Sequence, residues 1–210
     1  MEMMPTRIKA LSEQTHWGLL EDFYTLSKGI RQGLRLGVIG SWRAQQARVA
    51  AWYFDVSELH LVDKEVPPDP FEPICHEEFH QLDVTKPEFV TTLAGRVDLL
   101  FCHMTVHELT DPLQGLVNML TVTPKTGGLA WFFDFGPRYF LHPPIDPDTD
   151  EHVRQDVANA RRHGLDDPSQ LFSLYEEARR RTEHRYLELH EAGNTYQRLV
   201  YTTYPTKEPA

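Results

Sequence analysis

The chain of 210 residues carries 21 basic and 31 acidic side chains, a net charge of −10, with 40% hydrophobic and 25% charged residues. That length suits one domain whose core stands without staples, and the apolar fraction excludes wholesale disorder. The acidic balance argues against a protein that tracks phosphate backbones, so no nucleic-acid partner is expected.

Two cysteines make no disulfide framework, so Cys75 and Cys102 are expected as reduced thiols in a cytoplasmic setting. Residues 1–9 lack the apolar core of a signal peptide. The longest apolar runs, 97–104 and 129–135, are too short to cross a bilayer, and no membrane association is expected. They have the length of strands buried on both faces.

In chain order, residues 12–28 place Trp17, Leu20, Phe23, Tyr24 and Ser27 at helical spacing, with Ser12 as a cap. Residues 34–39 form a short apolar run that ends at Gly40-Ser41, a strand entering a turn. Residues 44–54 are helix material without Gly or Pro. Leu59-His60-Leu61-Val62 predicts a second strand, with Asp63 at its end. Pro67, Pro68, Pro70 and Pro73 enforce a non-helical stretch. A short strand over 79–84 and a short helix over 87–93 are expected next. A buried strand over 98–104, a helix over 109–120, a turn over 124–128 and a strand over 129–135 follow. Strands that are continuously apolar and alternate with helices point to a parallel α/β sheet.

The last third departs from that rhythm. Residues 136–150 hold four prolines and read as a loop, ahead of helices over 151–162 and 169–181. Residues 186–189 and 196–204 alternate apolar and polar side chains around Glu191-Ala192-Gly193-Asn194, the pattern of a hairpin closing a sheet.

In the first strand–turn–helix, Leu36-Gly37-Val38-Ile39-Gly40-Ser41, glycine lets the backbone approach a ligand, and the next helix offers unpaired amides. Asp63 ends the second strand, where a carboxylate can accept both hydroxyls of a ribose. A purely structural βαβ unit fits that segment as well, because Trp42 stands where a second glycine would be expected.

The later motifs narrow the choice. Gln81-Leu82-Asp83-Val84 is followed by Asp98-Leu99-Leu100-Phe101-Cys102-His103, His107-Glu108-Leu109-Thr110-Asp111-Pro112 and Pro124-Lys125-Thr126-Gly127-Gly128. This order resembles the class I S-adenosylmethionine-dependent methyltransferases over about residues 30–135 plus the hairpin. The resemblance implies a Rossmann-like α/β fold with a mainly parallel seven-stranded sheet and a C-terminal antiparallel hairpin. It makes residues 1–210 a single domain, with a helical N-terminal segment at 1–30 and a helical insertion or lid at 136–183. It implies S-adenosylmethionine as cofactor. Gly40 and Ser41 would border its methionine end and Asp63 would hold the ribose hydroxyls. Asp83 and the Val84 amide would hold the adenine, while Cys102 and His103 would line the pocket near the sulfur.

Where the family carries an acidic residue and further glycines around its first loop, this chain has Val38, Trp42 and Ala44. The Asn/Asp-Pro-Pro-aromatic pattern of amino-methyltransferases is replaced after the fourth strand by Cys102-His103-Met104-Thr105. Methylation of a nucleobase or amide nitrogen is therefore disfavoured, and the activity the resemblance implies is methyl transfer to a small molecule, at oxygen. The alternative is a methyltransferase-fold protein that has lost transfer and serves as a binding or assembly subunit, or catalyses another reaction. A homodimer or a protein partner is compatible with either.

His107 is the candidate general base, because imidazole titrates in the useful range just past the fourth strand; packing the following helix is the structural alternative. Glu108, His103, Tyr24 and Tyr139 are weaker candidates for the site. A nicotinamide-binding domain would explain Gly37, Gly40 and Asp63 but not the Pro124–Gly128 turn. His76-Glu77-Glu78-Phe79-His80 matches the H-E-x-x-H zinc-protease pattern, yet Pro73 before it and Gln81-Leu82-Asp83-Val84 after it leave no room for the helix that chemistry needs. No metal is expected. Arg161-Arg162 and Arg179-Arg180-Arg181 read as solvated helix faces matched by Glu176, Glu177 and Glu183.

Overall fold

The computed structural model describes residues 33–41, 45–65, 73, 75–103, 105–125, 129–135, 150–162, 168–184, 188–192 and 196–202. The predicted helix over 12–28, Trp42, Ala44 and Tyr139 lie outside them. The chain divides into two compact units, residues 1–82 and 83–210.

In the first unit β1 (Arg35–Ile39), β2 (Glu58–Asp63) and β3 (His76–Gln81) pair side by side and parallel. β-branched and leucine side chains make β1 and β2 almost wholly buried, as two covered faces require. The helix α1 (Gln45–Tyr53) connects β1 to β2 and buries Ala47, Val49, Ala50 and Ala51. It ends through Asp55 at φ 48°, where the Val56 amide donates to the Ala51 carbonyl (3.2 Å) and the Asp55 amide to Trp52 (3.3 Å). That is a Schellman ending built on a residue other than glycine. Arg48 on α1 forks onto Glu77 of β3, Nε to Oε1 at 2.9 Å and a terminal nitrogen to Oε2 at 2.5 Å, with both side chains buried.

The strand expected at 79–84 instead spans His76–Gln81. It stops there because Asp83 turns the chain: its Oδ1 accepts from the Thr85 amide (2.9 Å) and hydroxyl (2.7 Å), and Lys86 N–H closes onto the Asp83 carbonyl (3.0 Å).

The second unit holds α2 (Pro87–Leu93), β4 (Leu99–His103), α3 (Pro112–Val122), β5 (Leu129–Phe135), α4 (Glu151–Arg162), α5 (Pro168–Arg181), β6 (Glu188–Ala192) and β7 (Tyr196–Thr202). β4 and β5 pair parallel; β7 pairs antiparallel with β5 and with β6. Its core is aromatic: Phe101 lies 5.2 Å from Trp131, and Phe132 packs edge-on against Tyr175 of α5 at 5.3 Å, ring centre to ring centre. Of the segment expected as a lid, α5 packs on α3 and β5, and residues 136–149 lie outside the described set.

The helix expected from Leu109 begins at Pro112. Asp111 caps it by accepting from the Gln114 amide (3.0 Å), and proline suits the first helical position because its missing N–H is not needed there. Residues Val106–Glu108 form a separate 3₁₀ turn. No helix among the described residues is long and apolar enough to cross a membrane.

Candidate functional site

The candidate residues sit where strands end. In the first unit Gly40 follows β1 at φ 71°, a conformation that costs other residues about 1–2 kcal/mol. Its amide donates to the Val62 carbonyl at 3.0 Å, and the buried Ser41 amide to the same oxygen at 3.3 Å. Asp63 is the next residue along β2, half-buried, with Oδ1 accepting from the Glu65 amide at 3.2 Å. Gly40, Ser41 and Asp63 are therefore brought together at the carboxyl ends of adjacent parallel strands, where open α/β sheets hold ligands.

In the second unit Asp83 and Val84 occupy the tight turn before α2. Buried Asn118 on α3 fixes that turn, donating from Nδ2 to the Val84 carbonyl (2.8 Å) and accepting on Oδ1 from Gln114 (2.8 Å). Cys102 and His103 end β4, and Cys102 is fully buried.

His107 lies on the 3₁₀ turn, buried, not at the surface. Its Nε2 is 3.8 Å from Asp156 Oδ1 on α4 and 3.8 Å from Glu108 Oε1. The His107 and Asp156 side chains are each only 3% exposed. Leu109 seats the turn against α3 at Gly115, where an added Cβ would collide with Leu109 Cδ1. Asp156 was invisible to local sequence reading, because a lone aspartate in a charged amphipathic helix reads as surface. Only the burial of one helical face around Val153, Val157 and Ala160 turns it inward.

The H-E-x-x-H residues lie on β3, not on a helix, and Glu77 is held by Arg48. The zinc-protease geometry is therefore excluded. The arginine run behaves as a solvated face: Arg179 pairs with Glu176, and Arg180 and Arg181 with Glu177, whose carboxyl these hydrogen bonds hold below its ordinary value. Glu183 pairs elsewhere, with Lys125 at 3.0 Å.

No protein-family model matches the chain, and no curated protein matches it in sequence. Solved structures do. The plantazolicin methyltransferase BpumL, solved with a monoazolic desmethylPZN analog and SAH, shares 10% identity and a TM-score of 0.65, over 94% of this chain and 89% of its own. A chain from the complex between the Haloferax volcanii Trm112 methyltransferase activator and a protein assigned as a methyltransferase shares 11% identity and a TM-score of 0.59, over 93% of each chain. A SAM-dependent methyltransferase from Aquifex aeolicus shares 15% identity and a TM-score of 0.55, over 95% of this chain and 98% of its own. At such identities the likeness concerns the fold, and on it the chain has the α/β, Rossmann-like fold of the class I S-adenosylmethionine-dependent methyltransferases.

Proposed function

We propose that the protein binds S-adenosylmethionine and methylates a small molecule, at oxygen. The observation that carries this reading is the junction at Gly40: a left-handed turn, hydrogen-bonded to Val62, beside the Asp63 carboxylate. A carboxylate next to a close-approach backbone fits a ribose diol. The bound cofactor supplies an electrophilic methyl group on a positively charged sulfur.

Around it, Asp63 accepts from the ribose hydroxyls while Gly40 and Ser41 border the methionine end. Asp83 and Val84 hold the adenine, and Cys102 and His103 line the pocket near the sulfur. His107 takes the proton of the acceptor hydroxyl. Asp156 and Glu108, each with a carboxylate oxygen 3.8 Å from Nε2, stabilise the positive charge it gains. Alignment and exclusion of water then carry much of the rate. We include in this reading one cytoplasmic domain with a seven-stranded sheet closed by the β6–β7 hairpin, and a protein partner or a second copy. The likeness to a chain from a Trm112 complex supports a protein partner.

A second reading, a methyltransferase fold that no longer transfers methyl groups, is favoured by one observation. Val38, buried to 2% exposure in β1, stands where the family carries an acidic residue. Calorimetric titration with S-adenosylhomocysteine separates the two. The native protein is expected to bind one equivalent, and Asp63→Ala to weaken binding at least tenfold. Absence of heat from the native protein at high concentration sinks the first reading, and a gain of binding in Trp42→Gly then supports the second.

A further inference from the structure

The strand placement of β3 creates a cluster that the H-E-x-x-H pattern did not foretell. Side chains alternate along a strand, so Glu58 and His60 share one face of β2, and Glu78 and His80 the corresponding face of β3. The parallel register sets His60 opposite Glu78 and Val62 opposite His80, which makes His60 and His80 diagonal neighbours. Both imidazoles are buried, His60 completely and His80 to 8% exposure. His60 Nδ1 lies 3.1 Å from His80 Nε2 and 3.8 Å from Glu78 Oε2, and one ligand atom from each residue falls within 4.8 Å of the others.

We propose that His60, Glu78 and His80 bind a divalent transition cation of the zinc type. Tetrahedral coordination with metal–nitrogen bonds of ~2.0–2.1 Å sets neighbouring donors ~3.3 Å apart. The two ring nitrogens already stand near that spacing, and a small swing of Glu78 closes the third edge. Two imidazoles and one carboxylate are a donor set that suits zinc and its neighbours rather than magnesium or calcium. Glu58 Oε2 lies 3.5 Å from His60 Nε2, beyond a settled hydrogen bond. A swing of the half-exposed Glu58 onto that nitrogen would hold the proton there and leave Nδ1 to face the metal, the usual outer support of a metal-bound histidine. Glu78 is 40% exposed on its side chain, so the cation has an approach from solvent and a fourth position for water. The site involves none of the residues assigned to the cofactor or to proton transfer, and it stands or falls independently of them.

The alternative origin of the 3.1 Å contact is a hydrogen bond between two neutral rings, and a metal titration decides between them. The full chain, stripped with chelator, is titrated with zinc chloride by calorimetry and with cobalt(II) in the visible spectrum. Expected are one cation per chain and the intense bands of a four-coordinate cobalt centre. Glu78→Gln is expected to weaken zinc at least tenfold and His80→Asn at least a hundredfold. Glu78→Gln, at a half-exposed position, keeps the test meaningful if loss of a buried histidine unfolds the chain. No saturable binding overturns the site. So does an affinity that neither variant changes, or one lost only in Glu108→Gln, which belongs to the separate His107–Glu108–Asp156 cluster.

Discussion

Cys75 is half-buried just before β3, and its thiol is pushed up to about 11, mainly by burial and then by the Glu77 carboxylate, against the opposing pull of Arg48. Only the thiolate attacks electrophiles, so Cys75 should alkylate slowly at pH 8, with a rate that climbs towards pH 11. Iodoacetamide labelling followed by mass spectrometry checks this, and rapid labelling at neutral pH would contradict it. His184 shows the same physics with opposite sign. Burial pulls its imidazole below the ordinary value of 6.5, against raising contributions from the Thr123 and Thr182 hydrogen bonds. The folded state thus disfavours the proton that the unfolded chain accepts. Stability is full above about pH 6.5 and falls as pH drops below it, by at most about 1.4 kcal/mol per pH unit, until the folded-state value is passed. Urea unfolding measured between pH 7.5 and 5 should show this slope, and His184→Asn should reduce it.

Between elements, the buried Arg48–Glu77 fork joins α1 to β3 at both carboxylate oxygens. Removing one partner leaves an uncompensated buried charge, so Glu77→Gln should cost about 3–5 kcal/mol. The double replacement Arg48→Met with Glu77→Leu should recover most of that loss in denaturant unfolding, and equal losses in the single and double variants would refute the pairing. Element boundaries also show what the sequence made legible. The helix at 151–162 could be read directly from its charge-patterned face, and the strand at 129–135 from its continuous apolar run. The apolar pattern places the start of α3 a turn too early, because it continues through Leu109 while Asp111-Pro112 sets the boundary by capping. β3 was shifted because His76-Glu77-Glu78 has no apolar signature; its ladder with β2 and the Glu77–Arg48 pair, both non-local, make those polar residues a strand. Non-local contacts likewise define His60, through β3, and Asp156, through His107. Each acquires meaning only from partners distant in sequence.

For the whole molecule, the alternation of strand and helix and the order of motifs suffice to anticipate an α/β methyltransferase-like fold, which solved structures of 10–15% identity share. Fold at that distance does not choose an acceptor atom, which depends on the side chains of a site rather than on the fold. The carboxyl ends of β1 and β2 are proposed to hold the cofactor. Hydrogen–deuterium exchange with and without saturating S-adenosylhomocysteine tests it most directly. Slowed exchange is expected in peptides covering residues 40–41 and 63–65 and in the turn at 83–85, with α4 and the β6–β7 hairpin unchanged. Unaltered exchange at residues 40–41 and 63–65 would contradict it.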